Sequence, residues 1–291
     1  MHHHENTLRQ YRAASRKVKH TAKKQWNNSV ASQWDLFLPP ARPSISELAV
    51  IERFLLSGSR RKRNFKVAIL GSTPEYRDLC LTYGIDFRCI DYSTTNFSIL
   101  QQFMVHRDDH KHNLVVADWR TMRLRERFDF IMGDLATTVV PVTDHEAVFR
   151  SVRRLCKPSA RILLKVPLRQ NNVHRTHGEI FRLFRRERKH LQPFAAVWHE
   201  VLLADYDFRA DTMNCLTSLA RLRTSYQKGI ITKYEFDSFR ARWQALGDFN
   251  MNMPLRREYL KKLSPYFKVL EISSGTDWYR SYAPVLILAP R

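Results

Sequence analysis

Glycine is scarce in this chain, with 8 among 291 residues. The turn that would carry a dinucleotide fingerprint, G-x-G-x-x-G, has only Gly71. Pyrophosphate needs close backbone approach at several points, so NAD and FAD are disfavoured as ligands. Cysteine is also sparse. Cys80, Cys89, Cys156 and Cys215 stand far apart, with neither zinc spacing nor a disulfide framework. Three of them fall in apolar helix or strand positions and read as small core residues, so a reducing cytoplasm is expected and no metal. No apolar run reaches the roughly 18 residues that would suggest a membrane span. The amino terminus is basic and lacks an apolar h-region, which argues against secretion. Acidic residues are in deficit, 28 against 49 Lys and Arg, for a net charge of +21. From Asn6 to Trp34 there is no acid at all.

What is present reads most clearly from Lys66 to Asp91, KVAILGSTPEYRDLCLTYGIDFRCID. Val67 to Leu70 suits a buried parallel strand and is too short for a helix. Gly71 follows, where the backbone must turn sharply and let a ligand approach. Pro74 suits the first turn of a helix and Glu75 its positive end. Tyr76, Leu79, Cys80 and Tyr83 share one helical face, and Gly84 stops the helix. Phe87 to Ile90 is a second strand, with Asp91 at its carboxyl end, 20 residues after Gly71. An acid there is placed to accept hydrogen bonds from a ribose diol. A purely structural turn glycine is the competing reading.

The next units repeat the arrangement. Leu114 to Ala117 is a third strand ending in Asp118-Trp119, an acid and an indole suited to an adenine amino group and ring. A helix cap and a core aromatic are the alternative. Phe128 to Met132 is a fourth strand, closed by Gly133-Asp134. Glu146 to Leu155 reads as a helix that Lys157-Pro158 breaks, and Arg161 to Val166 as a fifth strand. Such alternation predicts an α/β fold, a doubly wound and mostly parallel Rossmann-like sheet. Its ligands bind at the strands' carboxyl ends, where Asp91, Asp118 and Asp134 all lie. Phe267 to Ile272 and Pro284 to Ala289 are two more strands, joined by a turn containing Gly275. They are expected to form a terminal antiparallel hairpin that completes the sheet.

These pieces resemble the class I S-adenosylmethionine-dependent methyltransferases. The matching segments are VAILGSTPE, CIDYS, VVADWR, FDFIMGDL and LCKPSARILLKV, and WDLFLPPARPS (Trp34 to Ser44) looks like the lead-in of a divergent bacterial branch. The likeness covers about residues 34–167. Most members carry two or three glycines where this chain has Gly71-Ser72-Thr73-Pro74-Glu75. The resemblance implies S-adenosylmethionine as cofactor, with Gly71, Thr73 and Glu75 toward its methionine part. It places Asp91 at the ribose, Asp118 and Trp119 at the adenine, and Ser93 and Asp134 among the ligand contacts. Arg42 is a candidate partner for the cofactor carboxylate, since guanidinium matches a carboxylate fork.

The expected organisation is a basic arm over 1–33, a cofactor-binding core over 34–167, a helical insertion over 168–263 and the hairpin over 264–291. In the insertion, Thr176 to His190, Asp211 to Gln227 and Lys233 to Leu246 read as helices. A cap over the carboxyl edge of the sheet would enclose an acceptor, and a helical layer that only packs or dimerises is the alternative. Methyl transfer needs alignment and exclusion of water, and a base only if the nucleophile must lose a proton. Asp134, His145 and Tyr206 are candidates for that base, none of them assigned. The basic surface predicts weak, nonspecific polyanion binding. No nucleic-acid-binding module is evident, so a small-molecule acceptor is favoured over RNA or DNA. A non-catalytic binding or assembly subunit and an oxidoreductase are the remaining alternatives.

Overall fold

The computed structural model describes residues 31–106, 113–172, 175–273 and 275–291. The arm expected over 1–33 lies almost entirely outside them. A seven-stranded sheet in the order β3-β2-β1-β4-β5-β9-β8 forms the centre. Strands β1 (Lys66–Leu70), β2 (Asp86–Asp91), β3 (Leu114–Val116), β4 (Phe128–Asp134) and β5 (Cys156–Lys165) run parallel. β8 (Phe267–Ser273) and β9 (Val285–Pro290) close it antiparallel. The expected Rossmann-like sheet with a terminal hairpin is therefore the fold observed.

Local chemistry explains the elements. Val67, Ala68 and Ile69 of β1 are fully buried because helices cover both faces, hence a continuous apolar run rather than alternation. Helix α1 (Ile45–Ser59) opens on a capping box, Ser44 with Glu47. Helix α2 (Pro74–Thr82) follows β1 with proline in its first turn. Helix α3 (Thr94–Leu100) follows β2, and α4 (His145–Leu155) lies between β4 and β5. Between β3 and β4 a loop replaces the crossover helix. Cys80, Cys89, Cys156 and Cys215 are all free and buried. Burial pushes the Cys89 and Cys156 thiols up to about 12, which suits inert core residues.

Two sequence expectations change. β5 begins at Cys156, directly after α4, and passes through Lys157-Pro158, with an irregular register between Phe128 and Phe130. The link between β8 and β9 is longer than a turn. It brings Tyr279 and Tyr282 to the carboxyl edge, where the Tyr282 carbonyl accepts from the Leu168 amide.

The segment between β5 and β8 is mostly helical: α5 (His177–Leu183) and a π-helical turn (Phe184–Arg188), α6 (Pro193–Ala204), α7 (Cys215–Gln227), α8 (Lys233–Leu246) and α9 (Arg256–Leu263). A two-stranded pairing of β6 (Met213–Asn214) with β7 (Asn250–Met251) links α7 to the end of α8. The expected helix from Thr176 to His190 is thus shorter and changes pitch. α6 escaped the periodicity reading because PFAAVWHEVLLA is apolar almost all round. These helices share their own core, in which Phe194 and Trp243 meet edge to face at 5.7 Å. Trp243 also donates from Nε1 to Ser218 Oγ at 3.0 Å. Trp243→Ala is expected to destabilise the protein by about 3–5 kcal/mol, read from the urea midpoint.

Candidate functional site

The carboxyl ends of β1, β2 and β4 open on one cleft, with an interior void of about 110 Å³. This is where the strand order reverses around β1, the place at which open α/β sheets bind ligands. Its sheet-side wall includes Gly71, Ser72, Thr73, Asp91, Trp119 and Asp134. Gly71 sits at φ +96°, a conformation that side chains rarely adopt, while a Cβ there would find its nearest neighbour only at 3.8 Å. Backbone conformation rather than space demands glycine.

Asp91 is 7% exposed. Its carboxylate accepts from Ser72 Oγ at 2.7 Å and from the Ser93 amide at 3.2 Å. Burial raises its pKa above the usual carboxylate range, while the Ser72 and Ser93 hydrogen bonds pull the other way. With the Tyr92 amide also bonded to it, the carboxylate still has acceptor capacity beyond these three donors. Trp119 donates from Nε1 to the Ile90 carbonyl at 2.6 Å, which fixes the indole beside the Gly71 turn.

Other residues singled out from the sequence are engaged elsewhere. Asp118 does not line the cleft. Its two oxygens take the Arg120 guanidinium, which also reaches Asp144 at 2.9 Å. Burial alone would raise the Asp118 pKa, but the Arg120 hydrogen bonds hold it below the ordinary value. The pair pins the loop that replaces the crossover helix. Arg42 and Glu75 pair with each other at 2.5 Å, and Trp34 Nε1 donates to the same Glu75 oxygen. Glu75 Oε2 is buried without a partner. The Ser93 hydroxyl caps α3 by accepting from the Asn96 amide.

Asp134 does line the cleft, and it belongs to a buried cluster that the sequence did not announce. Lys165, at the end of β5, has no side-chain exposure. It donates from Nζ to Glu47 Oε2 and to the Arg42 carbonyl, both at 2.9 Å, and lies 3.5 Å from Asp134 Oδ1. Neither Glu47 Oε1 nor Asp134 Oδ1 has a hydrogen-bond partner. Burial is the main cause that pushes the Asp134 carboxyl up to about 7; Lys165 opposes it and the Glu47 and Glu75 carboxylates reinforce it. A lysine two residues before Pro167 in an apolar strand was the available signal.

The opposite wall is apolar. Phe37, Trp198, Trp243, Leu246, Phe249 and Met251 face the strand ends. Asn252 holds this wall in register by donating from Nδ2 to the carbonyls of Thr137, Thr138 and Val140. Thr138 Oγ1 is buried without a partner. His145 and Tyr206 lie outside the wall. His145 Nε2 meets the Thr137 and Val140 carbonyls, and burial depresses its pKa to about 4, so it is neutral and donates. Tyr206 donates to Asp211 and accepts from the Met253 amide.

No family model and no curated protein matches this chain. Among solved structures, the methyltransferase CcbJ from Streptomyces caelestis is similar, with a TM-score of 0.58 and 10% identity over 91% of this chain and 98% of that one. A chain from Rhodobacter sphaeroides, assigned provisionally to the zinc-dependent alcohol dehydrogenases, gives 0.53 and 14% over 91% and 99%. The PH0226 protein from Pyrococcus horikoshii OT3 gives 0.51 and 14% over 89% and 99%. At these identities the likeness is one of fold, and chemistry has to be argued from the site. Among the described residues, no group of three or more His, Cys, Asp or Glu is gathered as for a metal.

The Asp134 environment has a consequence for stability. Its pKa is about 7 folded against 3.8 for the free side chain, so folding takes up a proton between those values. Stability therefore falls as pH rises through that window. Asparagine mimics the protonated form. Asp134→Asn is expected to leave Tm nearly unchanged at pH 4 and to raise it at pH 8, measured by calorimetry.

Proposed function

We propose that the chain is an S-adenosylmethionine-dependent methyltransferase acting on a small, largely apolar acceptor. The observation that carries this reading is one cleft with two unlike walls. On the sheet side stand the Gly71 turn, the Asp91 carboxylate and the Trp119 indole. On the other stand aromatic and aliphatic side chains from the insertion and the segment before α1. The fold shared with CcbJ supports the same reading.

The residues present fit the cofactor. Asp91 has acceptor capacity left for a ribose diol, and Trp119 offers a ring face for adenine. A turn with one glycine suits a ligand without pyrophosphate. Asp134 on the cleft wall shares its one cation, Lys165, with Glu47, which makes this end of the cleft favourable to positive charge. S-adenosylmethionine supplies a methyl group on a sulfonium, whose departure leaves a neutral thioether. The protein's task is then to align the acceptor and exclude water. Trp198, Trp243 and Phe249 do this by filling the approach with apolar surface. If the acceptor must release a proton, Asp134 is the carboxylate on the wall poised to take it near neutral pH.

A nucleic-acid acceptor is the second reading, favoured by the net charge of +21. Against it, among the described residues no Lys, Arg or His lines the cleft, so an entering phosphate would be desolvated without a cation. A non-catalytic subunit would bind the cofactor without turnover.

Titration calorimetry with S-adenosylmethionine and with NADH tests the reading. Binding of the first and not the second is expected. Asp91→Ala should weaken it by about 1–3 kcal/mol, the cost of ribose hydroxyls left unpaired. Undiminished affinity in a folded Asp91→Ala variant would refute the assignment.

A further inference from the structure

The charge of this protein is segregated by the direction of its strands. Asp91 and Asp134 stand at the carboxyl edge of the parallel sheet, where the cleft opens. The amino edge is basic. Among the described residues, three carboxylates stand there, already shared among four cations. Asp129 is buried and takes Lys62 at 2.7 Å and Lys157 at 2.6 Å. Glu126 lies between Lys66 and Arg88, and Asp86 pairs with Arg88 at 2.8 Å. Burial would raise the Asp129 pKa, but the two lysines hold it below the ordinary value, so it is fully committed at neutral pH.

Six further arginines stand at the same edge, with no acid paired to them among the described residues. Arg60, Arg61 and Arg63 lie in the link from α1 to β1, and Arg123, Arg125 and Arg127 in the loop before β4. All are exposed, and their side chains make neither hydrogen bond nor ion pair among the described residues. The second group is set by alternation. Leu124 packs against the core and Glu126 is held by Lys66 and Arg88, which leaves Arg123, Arg125 and Arg127 outward. The two loops are brought together because β1 and β4 are neighbours, with Val67 opposite Phe130. Concentrating like charges within about a Debye length costs folding free energy that scattered charges would not.

We propose that this amino edge is a docking surface for the phosphate backbone of a nucleic acid. Guanidinium matches phosphate as a two-pronged donor, and in these two loops the six unpaired cations are all arginine rather than lysine. An anionic lipid surface would be expected to recruit apolar anchors beside the charge. Loops 60–64 and 120–127 expose no large apolar side chain. The docked strand lies on the edge opposite the cleft and tethers the protein without entering its site. The inference does not depend on the methyltransferase reading.

The test uses the full chain and a fluorescein-labelled, mixed-sequence single-stranded RNA of about 20 nucleotides, followed by anisotropy. Neutralising about six phosphates predicts a log–log salt slope of about −4, so affinity falls about 300-fold between 50 and 200 mM salt. Two triple variants, R60S/R61S/R63S and R123S/R125S/R127S, should each remove about two from that slope. Both should melt no lower than the parent, since like-charge repulsion is relieved, and should keep the parent affinity for S-adenosylhomocysteine, whatever that affinity is. Parent slope and affinity in both variants would overturn the proposal and assign any binding to another basic segment. So would failure of the parent to bind at 50 mM salt. Tight binding to vesicles containing phosphatidylserine that the RNA does not displace would assign the edge to membranes instead.

Discussion

A lysine ammonium with no access to solvent holds the carboxyl edge of this sheet together. Lys165 ties three separate parts of the chain into one unit: the Arg42 carbonyl before α1, Glu47 in its first turn and Asp134 at the end of β4. Removing the one cation from such a buried set typically costs about 3–5 kcal/mol, because the carboxylates are left uncompensated. The set is also unbalanced. One lysine serves two carboxylates directly, with Glu75 close enough to influence Asp134. Burial raises the pKa of Glu47 as well as that of Asp134, and Asp134, pushed up to about 7, can hold a proton that an approaching cation would displace. The cleft above it is prepared for positive charge, and its own frame supplies the negative charge.

The insertion completes what the sheet begins. Trp198 and Trp243 belong to the insertion's own aromatic core and at the same time form the wall opposite the strand ends. The wall is positioned by hydrogen bonds rather than by packing alone. Asn252 clamps the carbonyls that follow β4, and Arg169, just after β5, ties to Asp211 and the Met253 carbonyl. Both clamps join the insertion to the ends of the strands that carry Asp134 and Lys165. A shift of the helical segment would therefore move the cleft wall and the charged cluster together.

Parallel strands make the two edges of the sheet unlike, and this molecule uses the difference. Turns at the carboxyl edge carry the acids and the indole of the cleft, whereas links at the amino edge carry arginines. Strand direction thus separates a cleft lined by acids and apolar side chains from a strongly basic outer surface, and a high net charge coexists with a cleft wall that has no cation among the described residues.

Much of this was legible in the sequence. Four-residue apolar runs, a glycine, a helix-starting proline and an acid at the next strand end specify β1, α2 and β2 by local rules alone. The same rules placed Gly71, Asp91, Trp119 and Asp134 on one cleft, because parallel strands bring their carboxyl ends together whatever lies between them, and the family resemblance added Thr73. Where pattern was absent, reading failed. α6 is apolar all round, so periodicity showed no face, and β5 started earlier than its apolar run suggested. The partners of charged residues were also beyond it. Arg42 and Glu75, read separately as cofactor contacts, neutralise each other. Asp118 is taken by Arg120, and Lys165 finds Glu47 across 118 positions of chain. Hydrophobic period tells which side of an element faces inward, and turn chemistry tells where it ends. Which charge meets which is set by distance in the folded chain, in surroundings of low dielectric where an unpaired ion is expensive, and only the tertiary structure decides that.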